Sequence, residues 1–205
     1  MKHRGVGRED LRPAAERLGV PLPDTSVDRL LAYEALLLEK AIPFGFIAKS
    51  DEPRLRERHV LDSLRAAVEV GDANHLVDLG SGAGLPGIVL AIVAPPLRVD
   101  LVESQRRRAA FLELAVERLD LANAAVVAGR AEELPPGTTE VCTARAFAPP
   151  ARAWEVAEPL LSLGGQLIYF AGAGAGSLEA PPGARIVRTH APTLESSGPL
   201  VIMSR

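Results

Sequence analysis

The chain has 205 residues, 47% of them hydrophobic and only 4% aromatic, so the sequence predicts one α/β domain with an aliphatic core. Its net charge of −3 gives no overall attraction to nucleic acid or membrane, so a nucleic-acid partner would need a local basic patch. The single cysteine, Cys142, excludes an internal disulfide and a cysteine zinc cluster. No apolar stretch is long enough to span a bilayer, and no apolar run follows the basic N-terminus as in a signal peptide, so we expect a cytoplasmic protein.

Residues 1–70 are predicted to form a helical extension packed on a main domain of residues 71–205. A short helix is predicted over 8–18. A second helix, beginning at residue 24 or 26 and ending near 40, has leucines at helical spacing that indicate packing against the main domain. After Pro43 and Gly45 break the chain, a third helix is predicted over 54–70.

The third helix and the residues before it carry a mild basic face. Five cations lie within seventeen residues: Lys49, Arg54, Arg56, Arg58 and Arg65. Four of them, Lys49, Arg54, Arg56 and Arg58, are candidates for phosphate contacts, although a solvated surface also explains each charge. His59 and Asp62 lie three residues apart on the same helix, so a structural pair between them is predicted.

From residue 71 onward, short strands alternate with helices. Strands are predicted over 75–79, 98–103, 124–128, 140–145, 166–170, 185–189 and 200–204, and helices over 86–93, 106–119 and 151–161. This alternation predicts a parallel sheet with helices on both faces. The run AGAGAG over 171–176 is predicted to be a flexible loop.

The stretch 75–87, HLVDLGSGAGLPG, combines a strand end, a glycine-rich turn and a helix start. Glycine permits positive φ and close approach of a ligand, so Gly80, Gly82 and Gly84 predict a nucleotide-binding turn. The pattern over 82–87 also matches the dinucleotide fingerprint G-x-G-x-x-G. Asp78 would repel a pyrophosphate, but it would attract S-adenosylmethionine (SAM), which has a sulfonium, an ammonium and no phosphate. The turn therefore favours a SAM-dependent methyltransferase, whose Rossmann-like sheet also has seven strands.

Later strand ends add candidate ligands, because the carboxyl ends of parallel strands meet at one edge of a sheet. Glu103 ends the second strand and is predicted to accept hydrogen bonds from ribose hydroxyls. Residues 129–132 follow the third strand and would offer a backbone N–H to adenine, with Glu132 near its exocyclic amine. Arg145 ends the fourth strand and is predicted to meet the SAM carboxylate or an RNA phosphate, since a buried arginine needs a partner. The triplet Arg106-Arg107-Arg108 is a further candidate for phosphate contacts, although a solvated helix face explains it at least as well.

Four segments together resemble the RsmG (GidB) family: RHVLDSL over 58–64, VDLGSGAGLPG over 77–87, GRAEEL over 129–134 and TARAFAP over 143–149. The resemblance runs from about residue 30 to 170 and implies a SAM-dependent methyltransferase acting on N7 of a guanine in 16S ribosomal RNA. It implies SAM contacts at Gly80, Leu85, Ala131, Glu132 and Arg145. It also places three residues in the floor or rim of the site, namely His59, Asp62 and Ser63.

The sequence departs from this family at two places. Residues 45–48, Gly-Phe-Ile-Ala, stand where the family has Asn-Leu-Thr, and residues 170–172, Phe-Ala-Gly, stand where a Lys-Gly usually follows the fifth strand. Three alternatives therefore remain open at this point. They are a diverged SAM methyltransferase with a small-molecule or protein substrate, a NAD-binding oxidoreductase, and a non-catalytic binding module with a SAM-type fold.

Guanine N7 as the acceptor agrees with the lack of an obvious catalytic base. The N7 atom has a free lone pair and no proton to remove, so transfer requires positioning alone. We therefore predict no catalytic residue and no metal. The expected partner is 16S rRNA or the small ribosomal subunit, and a monomer is favoured.

Overall fold

A computed structural model describes residues 8–172, 181, 184–189, 194 and 197–204. Three α-helices precede the sheet: α1 (Arg8–Arg17), α2 (Asp24–Leu36) and α3 (Asp62–Val70). Three more alternate with its strands: α4 (Gly87–Val93), α5 (Arg106–Arg118) and α6 (Pro150–Ala157). The strands are β1 (His75–Leu79), β2 (Arg98–Glu103), β3 (Ala124–Ala128), β4 (Thr139–Arg145), β5 (Leu161–Phe170), β6 (Arg185–Thr189) and β7 (Leu200–Ser204).

The seven strands form one sheet in the order β3-β2-β1-β4-β5-β7-β6. Strands β1 to β5 run parallel to one another, whereas β7 runs antiparallel to both β5 and β6. The predicted α/β class and the seven-stranded sheet are therefore confirmed. The strand order changes direction between β1 and β4, which is where open α/β sheets bind ligands beyond the carboxyl ends of their strands.

The helix predicted over 151–161 is too long, and β5 begins five residues earlier than predicted. Helix α6 ends at Ala157, and a 3₁₀ turn, Glu158–Leu160, contains Pro159, which cannot donate to a helical ladder. Leu161 instead pairs with Thr139, so both β4 and β5 extend beyond the sequence prediction. Of the loop predicted over 171–176, only residues 171 and 172 lie within the described ranges.

The second and third helices also differ from their simple predictions. A π-helical turn, Leu37–Ala41, continues α2. The predicted helix over 54–70 begins earlier, with a 3₁₀ turn, Lys49–Arg54, and passes through a second π-helical turn, Arg56–Leu61, into α3. Each π turn accommodates one additional residue and is often found at functional sites. The second of these turns carries Arg58 and His59 at the carboxyl edge of the sheet.

The N-terminal helices and the sheet share one hydrophobic core. Leu30, Tyr33 and Leu64 from the helices lie in the same buried cluster as Leu76 of β1 and Leu101 of β2. A second cluster covers the opposite face, where Trp154 of α6 packs beside β-strand residues. None of the helices in the described ranges is long and apolar enough to cross a membrane.

Candidate active site

The glycine turn lies between β1 and α4, at the carboxyl edge of the sheet. Gly80 has φ +64° and Gly84 has φ +91°, values that favour glycine. A Cβ atom on Gly80 would lie 2.6 Å from the ring of Phe147, so the close approach of this ring also requires a glycine. Sequence reasoning did not identify Phe147, which directly follows the TARA segment at the end of β4.

Asp78 lies beneath the turn, with only 1% of its surface exposed. Its Oδ1 accepts a hydrogen bond from Thr143 Oγ1 at 2.7 Å, and its Oδ2 accepts one from the Gly87 backbone N–H at 3.2 Å. Burial raises the pKa of Asp78 to about 6, although the bond from Thr143 opposes this shift. The sequence argument had this carboxylate facing the ligand. The structure instead has it supporting the turn and the start of α4.

Glu103 connects the turn to the neighbouring strand end. Its Oε2 accepts a hydrogen bond from the Gly82 N–H at 3.0 Å, and its Oε1 accepts one from the Gln105 N–H at 2.8 Å. These two bonds hold the carboxylate rigidly beside the glycine turn, at the position predicted for ribose recognition. Leu85, also predicted as a cofactor contact, is buried in the core below the turn.

A cavity of about 230 Å³ opens over this edge of the sheet. Its lining joins the glycine turn, the end of β2 and the segment after β3: Gly80, Val102, Ser104, Gly129, Arg130, Ala131, Glu132 and Phe147. The structure thus brings the predicted residues Gly80, Ala131 and Glu132 together. The Glu132 carboxylate is half exposed and pairs with Arg152 at 2.8 Å, a partner that the sequence did not indicate.

A second cavity, of about 420 Å³, lies at the ends of β4 and β5. Its lining includes Arg58, His59, Asp62, Arg145, Ala146, Tyr169, Phe170, Ala171 and Gly172, with Ser197 and Gly198. Arg58, His59 and Asp62 come from the π-helical turn and α3, and Arg145 comes from the end of β4. Tyr169 and Phe170 contribute aromatic surface. The sequence identified its rim residues only through the family resemblance.

Arg145 is held in this cavity by several groups of the N-terminal extension. Its guanidinium lies 3.4 Å from Asp62 Oδ2 and donates to Ser63 Oγ at 3.3 Å and to the Arg58 carbonyl. Its Cζ also lies 5.6 Å from the centroid of the Phe170 ring. The anionic partner that the sequence required is thus Asp62 of the same chain. Burial lowers the pKa of Arg145, and the charge of Asp62 opposes that shift.

The predicted pair between His59 and Asp62 is wrong. His59 Nε2 lies 3.1 Å from Asp51 Oδ2, and its Nδ1 lies 3.3 Å from Arg145 Nη2. Burial lowers the pKa of His59, and the charge of Arg145 lowers it further. Asp62 pairs instead with Arg65 at 2.7 Å and with Arg145. The π-helical turn changes the side-chain directions on which the three-residue spacing rule depends.

Some cations of the predicted basic face are exposed, and others form ion pairs with carboxylates. Lys49 and Arg54 are exposed, as is Arg106 at the start of α5. Arg58 pairs with Asp51 at 2.9 Å and still retains substantial exposure. Arg56 binds both carboxylate oxygens of Glu34, at 2.7 and 2.6 Å, in a largely buried position. This arrangement argues against the predicted phosphate contact of Arg56, because its donors already join two helices.

Tyr33 is a site-supporting residue that sequence reasoning missed. Its side chain is fully buried, and its hydroxyl donates to the Ala83 carbonyl of the glycine turn at 2.6 Å. The available signal was a tyrosine within an apolar helical stripe, since a buried tyrosine hydroxyl usually has a hydrogen-bond partner. Its bond connects α2 directly to the turn.

Comparison with known proteins supports a family assignment. The family model GidB, described as rRNA small subunit methyltransferase G, matches residues 26–177. The Ribosomal RNA small subunit methyltransferase G of Salinispora arenicola is 43% identical over 157 residues, covering 73% of this chain and 65% of that protein. The protein of the same name from Salinispora tropica is 43% identical over 159 residues, covering 72% and 66%. The match therefore spans slightly less than two thirds of the length of these relatives.

The fold is also similar to that of a SAM dependent methyltransferase from Aquifex aeolicus. The TM-score is 0.61 at 17% identity, over 80% of this chain and 98% of that structure. This comparison shows a likeness of fold alone, whereas the family model covers most of the chain. The matched residues include the whole lining of the first cavity and all of the second except Ser197 and Gly198. The chain therefore belongs to the rRNA small subunit methyltransferase G (GidB) family.

Proposed function

We propose that this protein transfers a methyl group from SAM to N7 of a guanine in 16S ribosomal RNA. The observation that carries the proposal is the pair of cavities at the carboxyl edge of the sheet, one beside the glycine turn and one beside Arg145, in a chain of this family. The first cavity suits the cofactor, and the second suits the target base. The family assignment favours this activity over a NAD-dependent oxidoreductase.

The residues around the first cavity fit SAM. Gly80 lines this cavity beside the Phe147 ring, with Gly82 and Gly84 completing the turn. Glu103 would accept hydrogen bonds from the ribose hydroxyls, because a carboxylate retains acceptor capacity beyond its two backbone bonds. The backbone at Ala131 and the side chain of Glu132 would contact the adenine. Asp78 and Leu85 would support the turn from below.

The groups around the second cavity support transfer without proton abstraction. SAM supplies the methyl group on a sulfonium, and guanine N7 accepts it through a free lone pair, so positioning suffices. The lowered pKa of His59 keeps its imidazole neutral at pH 7, and Asp51 and Arg145 fix its orientation. Methylation at N7 produces a cationic guanine. Asp62 does not offer a free carboxylate to this charge, because it already pairs with Arg65 and Arg145; its role would be to hold Arg145 in position beside the target base.

RNA binding is assigned to the exposed cations near this edge. Four cations would contact phosphates: Lys49, Arg54, Arg58 and Arg106. Together they form a local positive region on a protein whose net charge is −3. The substrate would be 16S rRNA or the small ribosomal subunit, met in the cytoplasm by a monomer. Residues 1–70 would form the extension that closes the second cavity, and residues 71–205 would form the SAM-binding domain.

Two experiments test the proposal. Calorimetry should detect binding of SAM and not of NAD. Tritiated SAM should then label small subunits or 16S rRNA isolated from a strain that lacks the protein, and the labelled nucleoside should be 7-methylguanosine. An unchanged N7-methylguanine map in that strain would refute the rRNA target. Transfer from SAM only to a small molecule or protein of the extract would support a diverged methyltransferase instead.

A further inference from the structure

An exposed aromatic ring surrounded by arginines lies on the N-terminal side of the site. We refer to Phe44, Phe46, Arg107 and Arg108 as the aromatic–arginine surface. Phe44 is 52% exposed, and its ring centroid lies 5.9 Å from that of Phe46. The Phe46 ring lies 5.7 Å from the buried Phe111 ring in an edge-on arrangement. The exposed ring is thus held in place by a row of aromatic contacts that reaches the core.

Two guanidinium groups lie over the faces of these rings. Arg107 Cζ lies 5.8 Å from the Phe44 centroid, and Arg108 Cζ lies 5.9 Å from the Phe46 centroid. Within the part of the chain that the structure describes, Arg106, Arg107 and Arg108 form no ion pair with an acidic side chain. Their positive charges therefore remain available to a ligand.

The surroundings of Phe44 are also cationic. Its backbone N–H donates to the carbonyl of Lys40, one turn earlier, and Lys40 pairs with Glu39 at 2.9 Å. The hydrogen bond from Lys40 lowers the pKa of Glu39, and the charge of Arg118 lowers it further. The charges of Lys40 and Glu39 cancel, so the positive local charge comes from Arg106, Arg107 and Arg108, in a protein whose net charge is −3. Such a reversal is the electrostatic signature of a polyanion-binding site.

This surface lies at the same edge of the sheet as the glycine turn. Arg106 begins α5 directly after Gln105, whose N–H donates to the Glu103 carboxylate that also holds Gly82. Phe46 belongs to the segment 45–48 in which the sequence departs from its family. That segment contributes a ring that supports Phe44, so the departure builds a feature of this chain.

We propose that the aromatic–arginine surface binds a single-stranded RNA segment flanking the target guanine; this inference rests on the proposed function. A base would stack against Phe44 and the guanidinium plane of Arg107, while Arg106 and Arg107 neutralise the adjacent phosphates. Aromatic rings beside cations are the usual platform for single-stranded nucleic acid, because every base has a face that can stack. One exposed ring without an apolar groove provides too little apolar surface to anchor a membrane or a helix.

The test uses the full-length protein and three substitutions at the surface. Phe44→Leu keeps apolar volume and removes the aromatic face, Phe44→Tyr keeps that face, and Arg107→Gln removes one charge. The matched controls are Leu163→Ala and Arg98→Gln. Both side chains are exposed and lie near the amino ends of their strands, away from the carboxyl edge that carries the site. Each protein is titrated with a labelled single-stranded RNA of about 12 nucleotides, a length within the usual site size. SAM affinity and the KM and kcat with 16S rRNA are measured in parallel.

We expect Phe44→Leu to weaken RNA affinity about tenfold, whereas Phe44→Tyr and both controls retain it. Arg107→Gln should reduce the slope of log affinity against log salt by about 0.7. KM for rRNA should rise in Phe44→Leu and Arg107→Gln, while kcat and SAM affinity should stay close to wild type. A merely structural role of Phe44 would not distinguish tyrosine from leucine in this way.

The outcomes separate this inference from the proposed function. An active wild-type enzyme with unchanged RNA affinity and KM in Phe44→Leu and Arg107→Gln would overturn the RNA surface alone. Effects seen with assembled subunits but absent with naked RNA would assign the surface to a ribosomal protein, and would also overturn it. A wild-type protein that binds SAM but methylates no rRNA would overturn the proposed function together with this inference.

Discussion

At the scale of single residues, the site is built on buried charges that support backbone and neighbouring side chains. Asp78 accepts hydrogen bonds from Thr143 and Gly87 beneath the turn. Arg145 joins the end of β4 to Asp62 and Ser63 of the extension. In both cases the buried group acts by holding other elements in position. Replacing either one should therefore alter stability as well as activity.

The raised pKa of Asp78 makes the stability of the protein depend on pH. The folded protein retains this proton up to about pH 6, whereas the unfolded chain releases it near the ordinary aspartate pKa of 3.8. The free energy of unfolding should therefore decrease as pH rises from about 4 to 6, by about 3 kcal/mol from this group. Asp78→Asn should lack this decrease. Urea unfolding of both proteins between pH 4 and 7 measures the difference.

Thr143→Val provides a matched control for this prediction. The bond from Thr143 favours the ionised carboxylate, so its loss should raise the pKa of Asp78 in the folded protein further. The pH-dependent decrease should then begin at the same pH and extend to higher pH. Parallel stability curves for wild type and Asp78→Asn over this pH range would contradict the assignment.

At the scale of elements, α2 supports the glycine turn from the N-terminal extension. Tyr33 donates to the Ala83 carbonyl, and Ser26 on the same helix donates to the Ile92 carbonyl at the far end of α4 at 3.1 Å. A Cβ atom on Gly84 would lie 2.9 Å from the Tyr33 hydroxyl, so helix and turn fit closely. The geometry of the turn therefore depends on an element more than forty residues away in sequence.

Tyr33→Phe should lower the free energy of unfolding by about 1–2 kcal/mol, because it leaves a buried carbonyl without its donor. It should also weaken SAM binding, since Ala83 lies within the turn. Ser26→Ala is the control, because it removes a buried bond between α2 and α4 away from the turn. Chemical denaturation and SAM calorimetry on both variants test this, and equal SAM affinities for the two would exclude a positioning role for Tyr33.

At the scale of the whole molecule, the extension and the sheet share one core. Leu30, Tyr33 and Leu64 are buried in the same cluster as Leu76 and Leu101. The extension also supplies Asp62 and His59 to the second cavity. The predicted boundary at residue 70 therefore marks a change in sequence pattern. The hydrophobic core and the second cavity are both built from residues on the two sides of it.

A fragment of residues 71–205 should fail to fold cooperatively, because removal of the extension exposes one face of the sheet core. Its urea transition, followed by circular dichroism, should be broad or absent, and SAM binding should be lost. Adding residues 1–70 as a separate chain tests whether docking restores both properties. A sharp transition with SAM binding in the fragment alone would contradict the shared core.

The sequence by itself determined the order of the elements and the chemistry of the turn. Strand and helix periodicities act locally, so all seven strands and the turn at Gly80 were predictable from short segments. The exceptions also have local causes: Pro159 ends a helix early, and two π-helical turns alter side-chain directions. No periodicity rule anticipates where such a turn will occur.

Only the tertiary structure decided which groups meet. It paired His59 with Asp51 and Arg56 with Glu34, put Asp78 beneath the turn, and brought Phe147 onto Gly80. It also assembled Phe44, Phe46 and Arg107 from separate segments into one surface. These contacts join residues far apart in the chain, and their energies depend on burial and orientation, which a single sequence does not specify.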